Sequence, residues 1–352
     1  MVTHFKTELS LPRSAFCDRK SALSRSCNTR KVTDNISHAE HHDSVWGLAW
    51  TAQDTVISTS ADGSIRQWAS ATGQPYPPNA PSPKPHTLGL TSLSVSRDGR
   101  KALYNSIEGT TRLWDVGGSG EVEGTFESFA KSDDAQSGPS WAVSLHPEGE
   151  TYASTGSSGN VTLHDARPGA DFGRRLSSIS SGRNKFGLSC VFAPDGKRVA
   201  MGSETGQIYL FDVESGTLAN TYTSHAMGVR SLAWSADSQL LLSASEDKRM
   251  VLHDVRKSEH GGSVTTFTGH SSWVLSADIS ADGRYVLSGS ADRTVKVWDM
   301  QTRAAVSTIA QDGGEVWSVA WNKAGSANGA FVTGSDDGSV KWYRVPGAGD
   351  EQ

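Results

Sequence analysis

Short apolar runs of about six residues alternate with clusters of Gly, Asp, Asn and Ser along most of the chain, and GHSSWVLSADISADGRYVLSGSADRTVKVWDM shows the pattern most cleanly. Val274–Ile279 reads as a first strand, Tyr285–Ser290 as a second and Thr294–Asp299 as a third. Between them lie Ala281-Asp282-Gly283 and Ala291-Asp292-Arg293, the chemistry of tight hairpins. A weaker fourth strand is expected at Ala304–Ile309. The runs are too short for helices and rich in β-branched residues.

The layout recurs. Seven times a turn residue is followed six positions later by a large ring: Asp62/Trp68, Glu108/Trp114, Ser158/His164, Thr205/Phe211, Asp247/His253, Asp292/Trp298 and Asp337/Tyr343. The rings are spaced 46, 50, 47, 42, 45 and 45 residues apart, a period that marks a closed array of four-stranded blades. The expectation is therefore an all-β, seven-bladed β-propeller over residues 38–345. A mostly flexible segment, 1–37, precedes it and a flexible tail, 346–352, follows. The last repeat ends at Tyr343 with no room for a fourth strand, so a strand from the N-terminus should close the ring and cover the open edge. Lys31–Ser37 is the nearest candidate and Val2–Thr7 the alternative. Two irregularities stand out. QPYPPNAPSPKPH holds six prolines, which cannot donate to a ladder, so blade one should have a poor outer strand; Ser128–Gly138 is a polar insertion behind the 50-residue interval.

Charge narrows the function. The net charge of −5 and pI of about 6.1 leave no global basic field, which argues against direct nucleic-acid binding. Cys17, Cys27 and Cys190 lie in unrelated contexts and imply no disulfide framework. No run reaches the ~20 apolar residues that span a bilayer, and the N-terminus lacks a secretory apolar core, so cytoplasm and nucleus are expected. The basic, serine-rich start also has the composition of an organellar transit peptide, but no apolar stripe accompanies its charge.

The repeat resembles the WD-repeat family over about 300 residues. The family's His matches His41, His86, His225 and His270, with Gln136, Arg183 and Asp312 in the other repeats. Its turn Asp matches Asp62, Asp247, Asp292 and Asp337, and its Trp matches Trp68, Trp114 and Trp298. The resemblance implies that in each blade Asp, His, a second-strand hydroxyl and Trp form one buried network with a folding role; blades three and four depart most. Within the family the chain is most similar to the WD-repeat subunits of superkiller complexes, through HAMGVRSLAWSADSQLLLSASED, FGLSCVFAPDGKRVAMG, IYLFDVESG and EVWSVAW. That likeness implies a non-catalytic scaffold, one propeller within a hetero-complex. Its partners would be a tetratricopeptide-repeat subunit and an RNA helicase, supporting exosome-mediated 3′-to-5′ mRNA decay. It also implies nuclear roles in transcription elongation or meiotic recombination.

Candidate sites follow from the same frame. Trp46, Trp141, Trp273 and Trp317 fall where the inner strands begin, around one mouth of the central channel, and Phe186, Leu188, Arg230 and Leu275 take the equivalent places in blades four to six. Aromatics and Arg gathered on one face have the composition of an interface hot spot, the plainer alternative being rings packed between blades. The HAEHHD motif (His38, His41, His42, Asp43) resembles a metal cluster, but His41 already has a structural place; no metal, cofactor or catalytic site is assigned. Asp165-Ala166-Arg167 and Asp254-Val255-Arg256 match the Asp-x-Arg ending by which some WD-repeat proteins dock to cullin ubiquitin ligases, so a substrate receptor is the alternative function.

Overall fold

In the computed structural model the described residues, 41–77, 82–128, 139–257, 262–323 and 329–343, form seven antiparallel sheets. Each sheet is one blade with its strands in chain order from the inside out, and five have four strands. Repeat six keeps the bounds read from its sequence, except that its outer strand runs one residue further, Ala304–Ala310. The seven ring residues all lie in third strands and are all buried. No helix among the described residues is long and apolar enough to cross a membrane.

Blade one has three strands, Val45–Trp50, Thr55–Ser60 and Ile65–Ala69. Beyond them a single bridge, Trp68 to Pro75, is all the proline-rich stretch contributes among the described residues. The prolines remove donors from the ladder, as expected. Blade seven also has three, Val316–Trp321, Phe331–Ser335 and Val340–Tyr343. Both candidate closing strands, Lys31–Ser37 and Val2–Thr7, lie outside the described residues, as does most of the Ser128–Gly138 insertion.

Each blade is too thin to bury its own faces, so the apolar core divides into layers between neighbouring blades. Leu242, Phe267, Val274, Ile279 and Trp298 join blades five and six. Val45, Trp50, Trp68, Val332, Val340 and Trp342 join seven to one. The edge-to-face contact of Trp68 with Trp342, centroids 6.1 Å apart, contributes ~0.5–1.5 kcal/mol beyond burial and helps seal the ring. The closing layer is thus apolar packing between the first and last repeats.

The buried polar groups inside the blades are bonded differently from blade to blade, and in blade two the expected network is missing: Trp114 Nε1 donates to Gly120 O, and the buried His86 Nε2 makes no hydrogen bond among the described residues. In blade six His270 Nδ1 lies 2.8 Å from Asp292, His270 Nε2 lies 2.7 Å from Ser288 Oγ, and Trp298 Nε1 donates to the same oxygen at 2.9 Å. A neutral ring that donates from Nδ1 and accepts at Nε2 fits all three, in keeping with burial lowering the His270 pKa. Blade one repeats this with Ser58, Trp68 and His41, Ser64 standing between His41 and Asp62. In blade three His164 replaces Trp and bonds both Ser154 Oγ and Gly173 O at 3.0 Å. Blade four places Met201 and Phe211 there, leaving no polar group to satisfy. Blade seven corrects the sequence reading: Asp312 is exposed, and buried Gln311 instead donates to the Tyr343 hydroxyl at 2.6 Å. A neutral amide is far cheaper to bury than a carboxylate.

Candidate protein-binding rim

Every inner strand has a bulge at the same place. In blade one Val45 faces Ser60 and Gly47 faces Thr59, leaving Trp46 as the extra residue. The same shift singles out Thr91, Trp141, Leu188, Arg230, Leu275 and Trp317 in the blades that follow. A bulge re-aims a side chain and breaks the ladder locally, and here it does so seven times around one mouth of the channel. Phe186 and Trp273 stand immediately before the first strand residue of blades four and six. The eight residues singled out by sequence therefore share one rim, six of them at bulges. Thr91 completes the set and escaped sequence reasoning because it is neither aromatic nor charged; its hydroxyl donates to Trp141 O at 2.6 Å.

The rim residues touch across blade boundaries. Trp46 and Trp317 lie 6.0 Å apart across the seven-to-one closure, and Trp141 meets Phe186 edge-on at 5.7 Å. The Arg230 guanidinium sits 5.8 Å from the Trp273 ring and is fixed by Glu246 at 2.6 Å. Trp317 Nε1 donates to Asp336, which also accepts from Ser44 Oγ at 2.6 Å. The rings thus pack between blades, as the plainer alternative has it, and also keep an outer surface. Trp273 is 41% exposed, while Trp46, Trp141, Phe186, Leu188, Arg230 and Trp317 are half-buried. Leu275 is the exception at 7%, and its assignment as a contact residue is withdrawn. With no polar end to keep wet, it gains ~1.5–3 kcal/mol by turning inward and leaves the surface of blade six to Trp273.

The channel holds an open cavity of about 210 Å³, lined by rim residues Trp46, Thr91, Leu188 and Arg230 and by residues of all seven inner strands. Its serines stitch neighbouring blades together. Ser92 Oγ donates to Val143 O at 3.1 Å, Ser189 Oγ to Val229 O at 3.1 Å, and Ser318 Oγ to Val45 O at 2.9 Å, the last crossing from blade seven to blade one. The sequence carries a signal for this ladder, a Ser two residues into the inner strand of five repeats, Ser92, Ser189, Ser231, Ser276 and Ser318.

The other candidates have structural partners. Both ring nitrogens of His41 are hydrogen-bonded, to Ser58 and Ser64, and His38 lies outside the described residues. Arg256 forks onto Asp254 with both contacts at 2.8 Å and holds that carboxyl down to about 2; Arg167 forks onto Asp165 in the same way. Each guanidinium is exposed but engaged by its own motif.

Comparison with known proteins matches this architecture. The model of the WD domain, G-beta repeat, matches residues 34–69, 216–254, 261–299 and 305–344. The chain is 35% identical over 315 residues to meiotic recombination protein rec14 of Schizosaccharomyces pombe, covering 88% of this chain and 97% of that protein. It is 33% identical over 220 residues to WD repeat-containing protein VIP3 of Arabidopsis thaliana, 58% of this chain and 64% of that one. WD repeat-containing protein SL1-17 of Schistosoma mansoni is 25% identical over 232 residues, 64% of this chain and 71% of the other. With its seven blades and this likeness along nearly its whole length, the chain belongs to the WD-repeat family.

Proposed function

We propose that this propeller is the non-catalytic WD-repeat subunit of a superkiller-type complex, gripping a tetratricopeptide-repeat subunit with its rim and so helping an RNA helicase feed the exosome in 3′-to-5′ mRNA decay. The supporting observation is the rim itself, where aromatics and an arginine are fixed at bulges and half open to solvent. Contacts already held in place lose little freedom on binding, so more of their interaction energy appears as affinity. The Schizosaccharomyces pombe relative is named for meiotic recombination, which supports a nuclear role beside the cytoplasmic one. The test is affinity capture of the full-length chain from its own cells, wild type beside Trp273→Ala. The variant should melt like wild type yet hold the tetratricopeptide-repeat subunit at least ~30-fold more weakly, matching the ≥2 kcal/mol of a hot-spot truncation. A folded variant that retains every partner would overturn the assignment of the rim.

A further inference from the structure

The outermost strand of blade three, Arg175–Ile179, hydrogen-bonds to one neighbour, Val161–Asp165. Four of its five residues are exposed, and its ladder is broken by a bulge at Leu176, which is 48% exposed. The sequence entering it is Arg174-Arg175-Leu176-Ser177, with Arg174, Arg175 and Ser177 all exposed. Kinases that select substrates by charge read arginines two and three residues before the acceptor hydroxyl, in an extended segment laid into the active-site cleft. Both requirements coincide here. An edge strand is already extended, and freeing it breaks one ladder while unburying only Ile179.

We propose that Ser177 is a phosphorylation site for an arginine-directed serine/threonine kinase. The Ser177 hydroxyl oxygen attacks the γ-phosphorus of ATP, the bond from that phosphorus to the β–γ bridging oxygen breaks, ADP leaves, and the hydroxyl proton passes to the kinase's catalytic aspartate. The product adds ~1.5–2 negative charges near neutral pH to a strand whose last four residues carry none. Charge on an edge discourages pairing with another chain, so the modification would close this flank of blade three to strand addition. Ser177 is three strands out from the inner strand, ~14 Å at ordinary strand spacing, so rim binding is unaffected and this proposal stands or falls independently of the scaffold reading.

The experiment incubates the native full-length chain with a purified arginine-directed kinase and ATP and maps phosphate by mass spectrometry. One phosphate should appear at Ser177, persist in Ser178→Ala and vanish in Ser177→Ala. It should fall at least ~10-fold in Arg175→Ala, the equivalent of one lost charge-assisted hydrogen bond. Arg174 is left unchanged because it braces Asp165. Circular dichroism establishes that each variant is folded. Phosphate at Ser178 instead, equal labelling of Arg175→Ala, or labelling only of heat-unfolded chain would overturn the proposal.

Discussion

Burial keeps three histidines, His86, His164 and His253, neutral by holding each pKa down to about 4 from an ordinary 6.5. In the unfolded chain they bind protons as pH falls through 6.5; in the folded chain they bind them only near 4. Their contribution to stability is therefore complete above pH 6.5 and is lost as pH drops toward 4, by ~2 kcal/mol per histidine at pH 5. The turn carboxylates Asp62, Asp247 and Asp292 are also held low, but they lose stability only below their ordinary value of 3.8, outside this window. Urea unfolding at pH 7 and pH 5 should show the loss, and His253→Phe, which copies Phe211 of blade four, should reduce it by ~2 kcal/mol. An unchanged pH dependence would refute the account of His253. Much at this scale was legible, because a repeated Asp, His, hydroxyl and ring announce one network wherever all four recur. Gln311 was not legible, since which of two adjacent side chains turns inward depends on the path of the loop.

Adjacent blades also interlock along their outer edges. Phe172, in the loop after the third strand of blade three, lies beneath Gly124 in the outer strand of blade two, Val122–Glu127, where an added Cβ would stand 2.4 Å from the ring. Phe126 fills the reciprocal place over Gly173, whose φ of +81° suits glycine. Gly124→Ala should therefore destabilise by ~1–3 kcal/mol, although alanine normally favours a strand interior over glycine. Adding Phe172→Leu should recover part of the loss; urea denaturation of the two variants decides it, and a stabilised single variant would exclude the interlock. Strands were readable because alternation and Asp-Gly turns act locally. The bulges were not, because they arise from how one strand registers on its neighbour. The sequence therefore located the rim without revealing why its side chains turn outward.

For the whole molecule, the number of blades followed from the period, while the layered core and the serine-stitched channel emerged only from the ring in three dimensions. The closure of blade seven on blade one places Trp317 beside Trp46, 271 residues away in the chain. The rim is thus a property of the closed ring, and binding there should report on all the blades that contribute to it. Hydrogen exchange of the full-length chain, alone and with the tetratricopeptide-repeat subunit proposed as its partner, tests this most directly. Protection should rise at the starts of the inner strands, around Trp46, Trp141, Leu188, Arg230, Trp273 and Trp317, and stay unchanged along the outer strands. Protection confined to the outer strands, with the rim unaltered, would contradict the account.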